Sequence, residues 1–160
     1  MRVEQLSSNV EIWKSRYGTI NQREALNIRI GVLKTRYSGK EPRTTKVRFY
    51  FIAQSRDKGG RLEIYHYQEL DHGLRPSQET QCVTVSPLIS LRKNVIGGQT
   101  DFSGIVPFGW VAQILDRSRV VKTVSSTPEM VSNLEKLLVT TRSSDLQRLN
   151  KEANERDQNR

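Results

Sequence analysis

Cysteine is nearly absent from this 160-residue chain: Cys82 stands alone. That excludes an intrachain disulfide and any CxxC metal site. Long apolar runs are missing too, and no stretch approaches the roughly 20 apolar residues of a membrane-spanning helix. No transmembrane segment is therefore expected in this chain. Met1-Arg2-Val3-Glu4-Gln5 lacks the apolar core of a signal peptide. Two readings follow for location: cytoplasmic if Met1 is the native start, or cell envelope or extracellular if a leader preceded residue 1 and was removed. Apolar content is only 35%, which suggests a thin two-layer core with solvated segments. Catalytic signatures are also lacking. No serine sits in a nucleophile-elbow pattern, and Gly97-Gly98 has neither the lysine nor the following helix of a phosphate-binding loop. The expectation is a non-enzyme with no cofactor.

Acidic residues are scarce where basic ones gather. The chain carries 26 Lys and Arg against 17 Asp and Glu, a formal charge of +9. Residues 1–60 hold +8 of it, residues 61–141 are balanced, and the remainder adds +1. A localised basic surface attracts polyanions such as nucleic acid, lipid headgroups or acidic glycans. Basic strands also keep sheet edges from pairing with one another, with no ligand involved.

What the chain does have is alternation. Leu26-Asn27-Ile28-Arg29-Ile30 and Val47-Arg48-Phe49-Tyr50-Phe51 put every second side chain on one face, the period of a half-buried strand. Similar runs occupy 9–17, 26–33, 46–54, 62–67, 81–85, 110–115 and 119–124, separated by Gly, Pro and Asp turns. This predicts an all-β, seven-strand antiparallel sandwich. Its core should hold Leu26, Ile28, Ile30, Val47, Phe49, Phe51, Leu62 and Ile64, with Trp13 or Trp110. Residues 94–104 read as a long glycine-rich connection. Ser126-Thr127-Pro128-Glu129 reads as a helix start with a capping box from Ser126. Met130, Leu134, Leu137 and Leu138 then form one apolar stripe at helical spacing. The expected organisation is a β-sandwich domain with one closing helix over residues 1–138, followed by a polar helical extension or flexible tail over 139–160.

The Asp57–Gly60 turn constrains a register. Centring it between Asp57 and Lys58 sets Phe51 opposite Ile64 and Ala53 opposite Leu62, apolar against apolar. Tyr50 would then face Tyr65, and Arg48 would face Tyr67. The outer face would present a basic-aromatic patch of Arg48, Tyr50, Tyr65 and Tyr67, with Arg29 on the neighbouring basic strand. Such a patch stacks bases while its cations hold phosphate, with Arg43 and Lys46 as further phosphate contacts. Cross-strand Tyr–Tyr and Arg–Tyr pairs also stabilise sheets without any ligand. His66, Glu69, Asp71 and His72 are the only cluster of metal-ligand side chains. They lead from a strand into a turn with no rigid facial arrangement, so His66 is expected inward beside Phe49 as a hydrogen-bonded histidine, and no metal is expected.

Pro107-Phe108-Gly109-Trp110-Val111-Ala112-Gln113-Ile114-Leu115, its turn, and Val120-Val121 leading to Ser125-Ser126-Thr127-Pro128 resemble the closing hairpin of a known group. These are small bacterial immunoglobulin-like β-sandwich proteins encoded beside type IV pilus components. Val47 to Ala53 and Val10-Glu11-Ile12-Trp13 are compatible with the same pattern, and as a strand order the resemblance spans residues 9–138. It implies an immunoglobulin-like sandwich at the cell surface, with a structural or adhesive role and other envelope or pilus proteins as partners. The antibody-type Cys…Trp…Cys core is missing, since Cys82 has no second cysteine. The other functional reading is a nucleic-acid-binding, oligonucleotide-binding-type barrel that uses the basic-aromatic face.

Overall fold

Among the described residues the alternating runs do form strands, eight of them, and two helices follow. The computed structural model describes residues 3–18, 22–56 and 59–159. The expected turns at Gly18–Gln22 and Asp57–Gly60 include residues 19–21 and 57–58, which lie outside the described residues. The strands are β1 (Val3–Gly18), β2 (Gln22–Tyr37), β3 (Arg43–Ser55), β4 (Leu62–Leu74), β5 (Glu79–Val85), β6 (Ile89–Ile96), β7 (Gln99–Asp116) and β8 (Arg119–Ser125). The helices are α1 (Pro128–Thr140) and α2 (Ser143–Gln158).

All strand pairs are antiparallel and join into one continuous curled sheet, in the order β1-β2-β6-β7-β3-β4. β5 also pairs with β2, beyond β6, and β8 pairs with the far end of β7. β7 belongs to both halves of the sheet. Residues 99–104 pair with β6, and residues 105–115 pair with β3. The strand leaves β6 at Gly104, where φ is +104° and an added Cβ would lie 2.2 Å from the Ser90 carbonyl oxygen. Only glycine fits that turn-out.

Residues 94–104, expected as a loop, are therefore mostly a hairpin: β6 ends at Ile96 and β7 starts at Gln99, around Gly97 and Gly98 in the left-handed region. Two adjacent glycines between strands are a turn signal, and the eighth strand follows from it. The segment expected as a polar helical extension or a flexible tail folds as a second helix, α2.

Two apolar clusters lie on opposite faces of β3. The inner one gathers Leu33, Val47, Phe49, Phe51, Ala112 and Ile114, with Trp110 packed against it. The outer one holds Tyr50, Ile52, Tyr67, Val111, Met130 and Leu134, flanked by Leu62, Ile64 and helix leucines. Val47, Phe49 and Phe51 are inside as expected. Leu62 and Ile64 instead lie half-buried on the helix side. On β2 the expected face is inverted: Asn27, Gly31, Leu33, Thr35 and Tyr37 are buried, while Leu26, Ile28 and Ile30 are only half-buried. Small Gly31 faces the Phe51 ring closely, an added Cβ standing 3.0 Å from it, so a large aromatic occupies the space a β2 side chain would need. Of Trp13 only the backbone is described.

α1 starts with Thr127 as its cap residue and Pro128 in its first turn. The expected capping box does not form. Ser126 Oγ instead accepts the Trp110 backbone N–H at 3.1 Å, tying the helix start to β7. Gly109 makes that docking possible, because an added Cβ would lie 2.2 Å from Met130 Sδ.

Candidate functional site

The β3–β4 register differs from the expected one, and the difference decides what the tyrosines can do. Near the turn the pairs are Gln54 with Leu62, Ala53 with Glu63 and Ile52 with Ile64, one residue off the expectation. Tyr65 is then an extra residue on β4, and beyond this bulge Phe51 pairs with His66, Tyr50 with Tyr67 and Arg48 with Glu69. A bulge changes which face the following residues take. The structure thus splits the predicted set into two groups.

Arg48, Tyr50 and Tyr67 share the outer face of the sheet. The two rings lie 4.9 Å apart at 37°, and Tyr67 Oη donates to Glu69 Oε2 at 3.3 Å. Arg48 Nε donates to the same oxygen at 2.8 Å, and Lys46 Nζ reaches Glu69 and Asp71 at 3.4 and 3.2 Å. Burial pushes both phenols up, and for Tyr67 the neighbouring Tyr50 and Glu69 add to it. Burial works against the Glu69 carboxylate, but Arg48 and then Lys46 outweigh it and hold that carboxyl below its ordinary value. Tyr50 is 3% and Tyr67 9% exposed, because α1 and α2 leucines pack on them. The exposed stacking platform expected from the sequence is therefore corrected: these rings are covered by helices, and a base would have to displace a helix to reach them.

Tyr65 and Arg29 lie on the other side. Tyr65 packs in the inner cluster, 6.2 Å from the Phe51 ring, and burial pushes its phenol up to about 12. Burial also lowers the Arg29 guanidinium, against the opposing influence of Tyr65. The Arg29 backbone N–H donates to Ser86 Oγ at 3.0 Å, and the Ser86 N–H returns to the Arg29 carbonyl at 2.9 Å.

The four side chains weighed as metal ligands, His66, Glu69, Asp71 and His72, are divided likewise. Glu69 and Asp71 face outward to Lys46 and Arg48, whereas both histidines are buried. Thr35 Oγ1 and His72 Nε2 are 2.9 Å apart, and burial lowers the His72 imidazole. His66 is inward and hydrogen-bonded as expected, opposite Phe51 rather than Phe49, and sits in a directed chain of hydrogen bonds. Arg156 of α2 donates to His66 Nδ1 at 3.2 Å, since a guanidinium can only donate. The ring proton then lies on Nε2, which donates to Thr84 Oγ1 at 2.7 Å. Thr84 donates to Gln68 Oε1 at 2.5 Å, and Gln68 Nε2 donates to Asn154 Oδ1 at 3.1 Å and Asp157 Oδ2 at 2.7 Å. Asn150 Oδ1 accepts the Glu69 backbone N–H at 2.9 Å. The polar tail is polar because it caps the edge of β4. Cys82 is buried beside this seam, and burial pushes its thiol up to about 12, far from the depressed values of reactive thiols.

The opposite margin of the same sheet half is finished differently. Among the described residues β8 pairs only with β7, and β1 only with β2, so each leaves one edge without a strand partner. β8 turns back from β7 through Arg117 and Ser118, both left-handed at φ +50° and +67°. Val121 is an extra residue between the Leu115–Val120 and Ile114–Lys122 pairs. Val120 and Val121 are 40% and 44% exposed. Asp116 is engaged by Arg43, which with Lys46, Asp71 and Arg117 lines an open cavity of about 460 Å³ at this end.

No family model matches the chain, and no curated protein does. Among solved structures, a crystal structure from Akkermansia muciniphila is similar over 89% of this chain and 78% of its own, at 12% sequence identity and a TM-score of 0.40.

Proposed function

We propose that this chain is a non-catalytic interaction module of a cell-surface or pilus-like assembly, and that it engages envelope or pilus proteins through open sheet edges. The observation that carries this reading is the unequal treatment of edges: β4 is capped by α2 side chains, whereas β8 and β1 have no second strand. An uncapped edge is a template for another chain. In this reading the curled sheet is a variant of the immunoglobulin-like sandwich in which β7 serves both layers. The resemblance of the closing hairpin points the same way, and its segments coincide with β7, β8 and the start of α1. Burial of Tyr50, Tyr65 and Tyr67 weighs against the nucleic-acid platform. No described helix is long and apolar enough to cross a membrane.

Fractionation of cells expressing the native gene tests it, with an antibody to this chain and protease added to intact cells. Recovery in the envelope or surface fraction with protease sensitivity is expected. Recovery in the cytosol, protected from protease, would overturn the surface assignment.

A further inference from the structure

The backbone of β8 has a direction that can be read from one bond. The Ser126 N–H donates to the Trp110 carbonyl at 3.0 Å, so Ser126 faces β7. In an antiparallel pair successive residues alternate between facing the partner and facing away. Val124 and Lys122 therefore face β7, and Ser125 and Thr123 turn their N–H and carbonyl groups to the open edge.

The charges along this edge are of one sign. Arg117, Arg119 and Lys122 lie on β8 and its turn, and none of the three is in an ion pair among the described residues. The only acid of the segment where β7 and β8 pair, Asp116, is already held by Arg43. A second copy of β8 laid alongside would set cations against cations, which destabilises directly opposed pairs. An acidic strand would meet the opposite situation. Exposed Val120 and Val121 give it apolar contacts between the charges.

We infer that the β8 edge accepts an extended strand from a partner protein, one that alternates apolar and acidic residues and pairs with Thr123 and Ser125. This rests on the interaction-module reading, yet the two fail separately: fractionation reports location, and a binding titration reports the edge.

The probe is a fluorescein-labelled peptide of alternating Val and Glu, about ten residues long to match a strand, with a Val/Lys peptide of equal length beside it. Anisotropy titrations at physiological salt should show the Val/Glu peptide binding at least about tenfold more tightly than the Val/Lys one, as charge complementarity requires. Thr123→Pro removes an outward N–H that β7 does not use and leaves the charge unchanged; proline is tolerated at such edge positions. Its circular dichroism should match wild type while peptide binding falls by about tenfold or more, because main-chain bonds supply affinity in strand addition. Arg119→Glu with Lys122→Glu should reverse the peptide preference, and this variant decides alone if Thr123→Pro does not fold. Equal binding of the two peptides overturns the inference, as does undiminished binding by folded Thr123→Pro. A dimer in sedimentation that Thr123→Pro dissolves would give the edge to a second copy and overturn the acidic partner.

Discussion

β4 and β8 bound the same half of the sheet, and they are finished in opposite ways. β4 is pinned by α2: Asn150 takes a backbone N–H, and Gln68, Thr84 and His66 are threaded into a chain ending on Asn154, Asp157 and Arg156. β8 has exposed valines, cations with no ion pair among the described residues, and one backbone edge without a strand partner there. The pinned margin uses side chains whose removal strands buried partners. The open margin uses side chains already in water. Stability is concentrated on one side of the sheet and availability on the other.

Three substitutions test how deep that difference goes, beginning with the strand between the two margins. Phe51 is fully buried in the inner cluster, and Phe51→Ala should cost about 3–5 kcal/mol. Urea midpoints would read it, and a loss below about half a kcal/mol, the usual range for surface sites, would place Phe51 at the surface and break the register. Gln68→Ala leaves the buried Thr84 hydroxyl without its acceptor and should cost roughly 1–3 kcal/mol. Hydrogen exchange should then quicken in α2 and β4 while β8 is unchanged; equal quickening at β8 would erase the contrast. The smallest effect is an acid one at Glu69. Its folded carboxyl sits below the unfolded value of about 4.3, so its contribution is present above that value and disappears as pH falls through the folded one. Glu69→Gln should therefore lose less stability than wild type between pH 7 and about pH 3. Identical pH profiles for the two proteins would remove Arg48 and Lys46 as its stabilisers.

The strand content was legible because alternation at 47–51 and 110–115 is strong, and the helix start was legible from Pro128 and the Met130–Leu134 stripe. Both faces of β3 were not. Alternation treats one face as wet, yet Tyr50 and Ile52 are buried because the α1 stripe needs a surface to cover, and the sequence does not say which. The β2 face was inverted for a related reason. Apolar Leu26, Ile28 and Ile30 look like core, but the space opposite β2 is filled by Phe51 and by hydroxyls that pair with histidines, and it accepts Gly31 and Thr35. The bulge at Tyr65 carries no composition mark, so the aromatic patch could not be divided correctly in advance. Whether the tail would be a helical extension or flexible was not legible, because the few apolar contacts of α2, Leu146 and Leu149 on the outer cluster and buried Ala153, are joined by polar bonds to β4 that composition does not show.

β7 carries a consequence for how the molecule comes apart. One uninterrupted backbone is hydrogen-bonded to β6, then to β3, with β8 along its final turn of the sheet. Neither half can melt alone without stripping partners from a strand that the other half still holds. The two halves are therefore coupled as a single cooperative unit. Tension applied through a partner on β8 would enter at β7 and be shared across the whole sheet in shear, so the open margin is anchored to a strand that is bonded to three others.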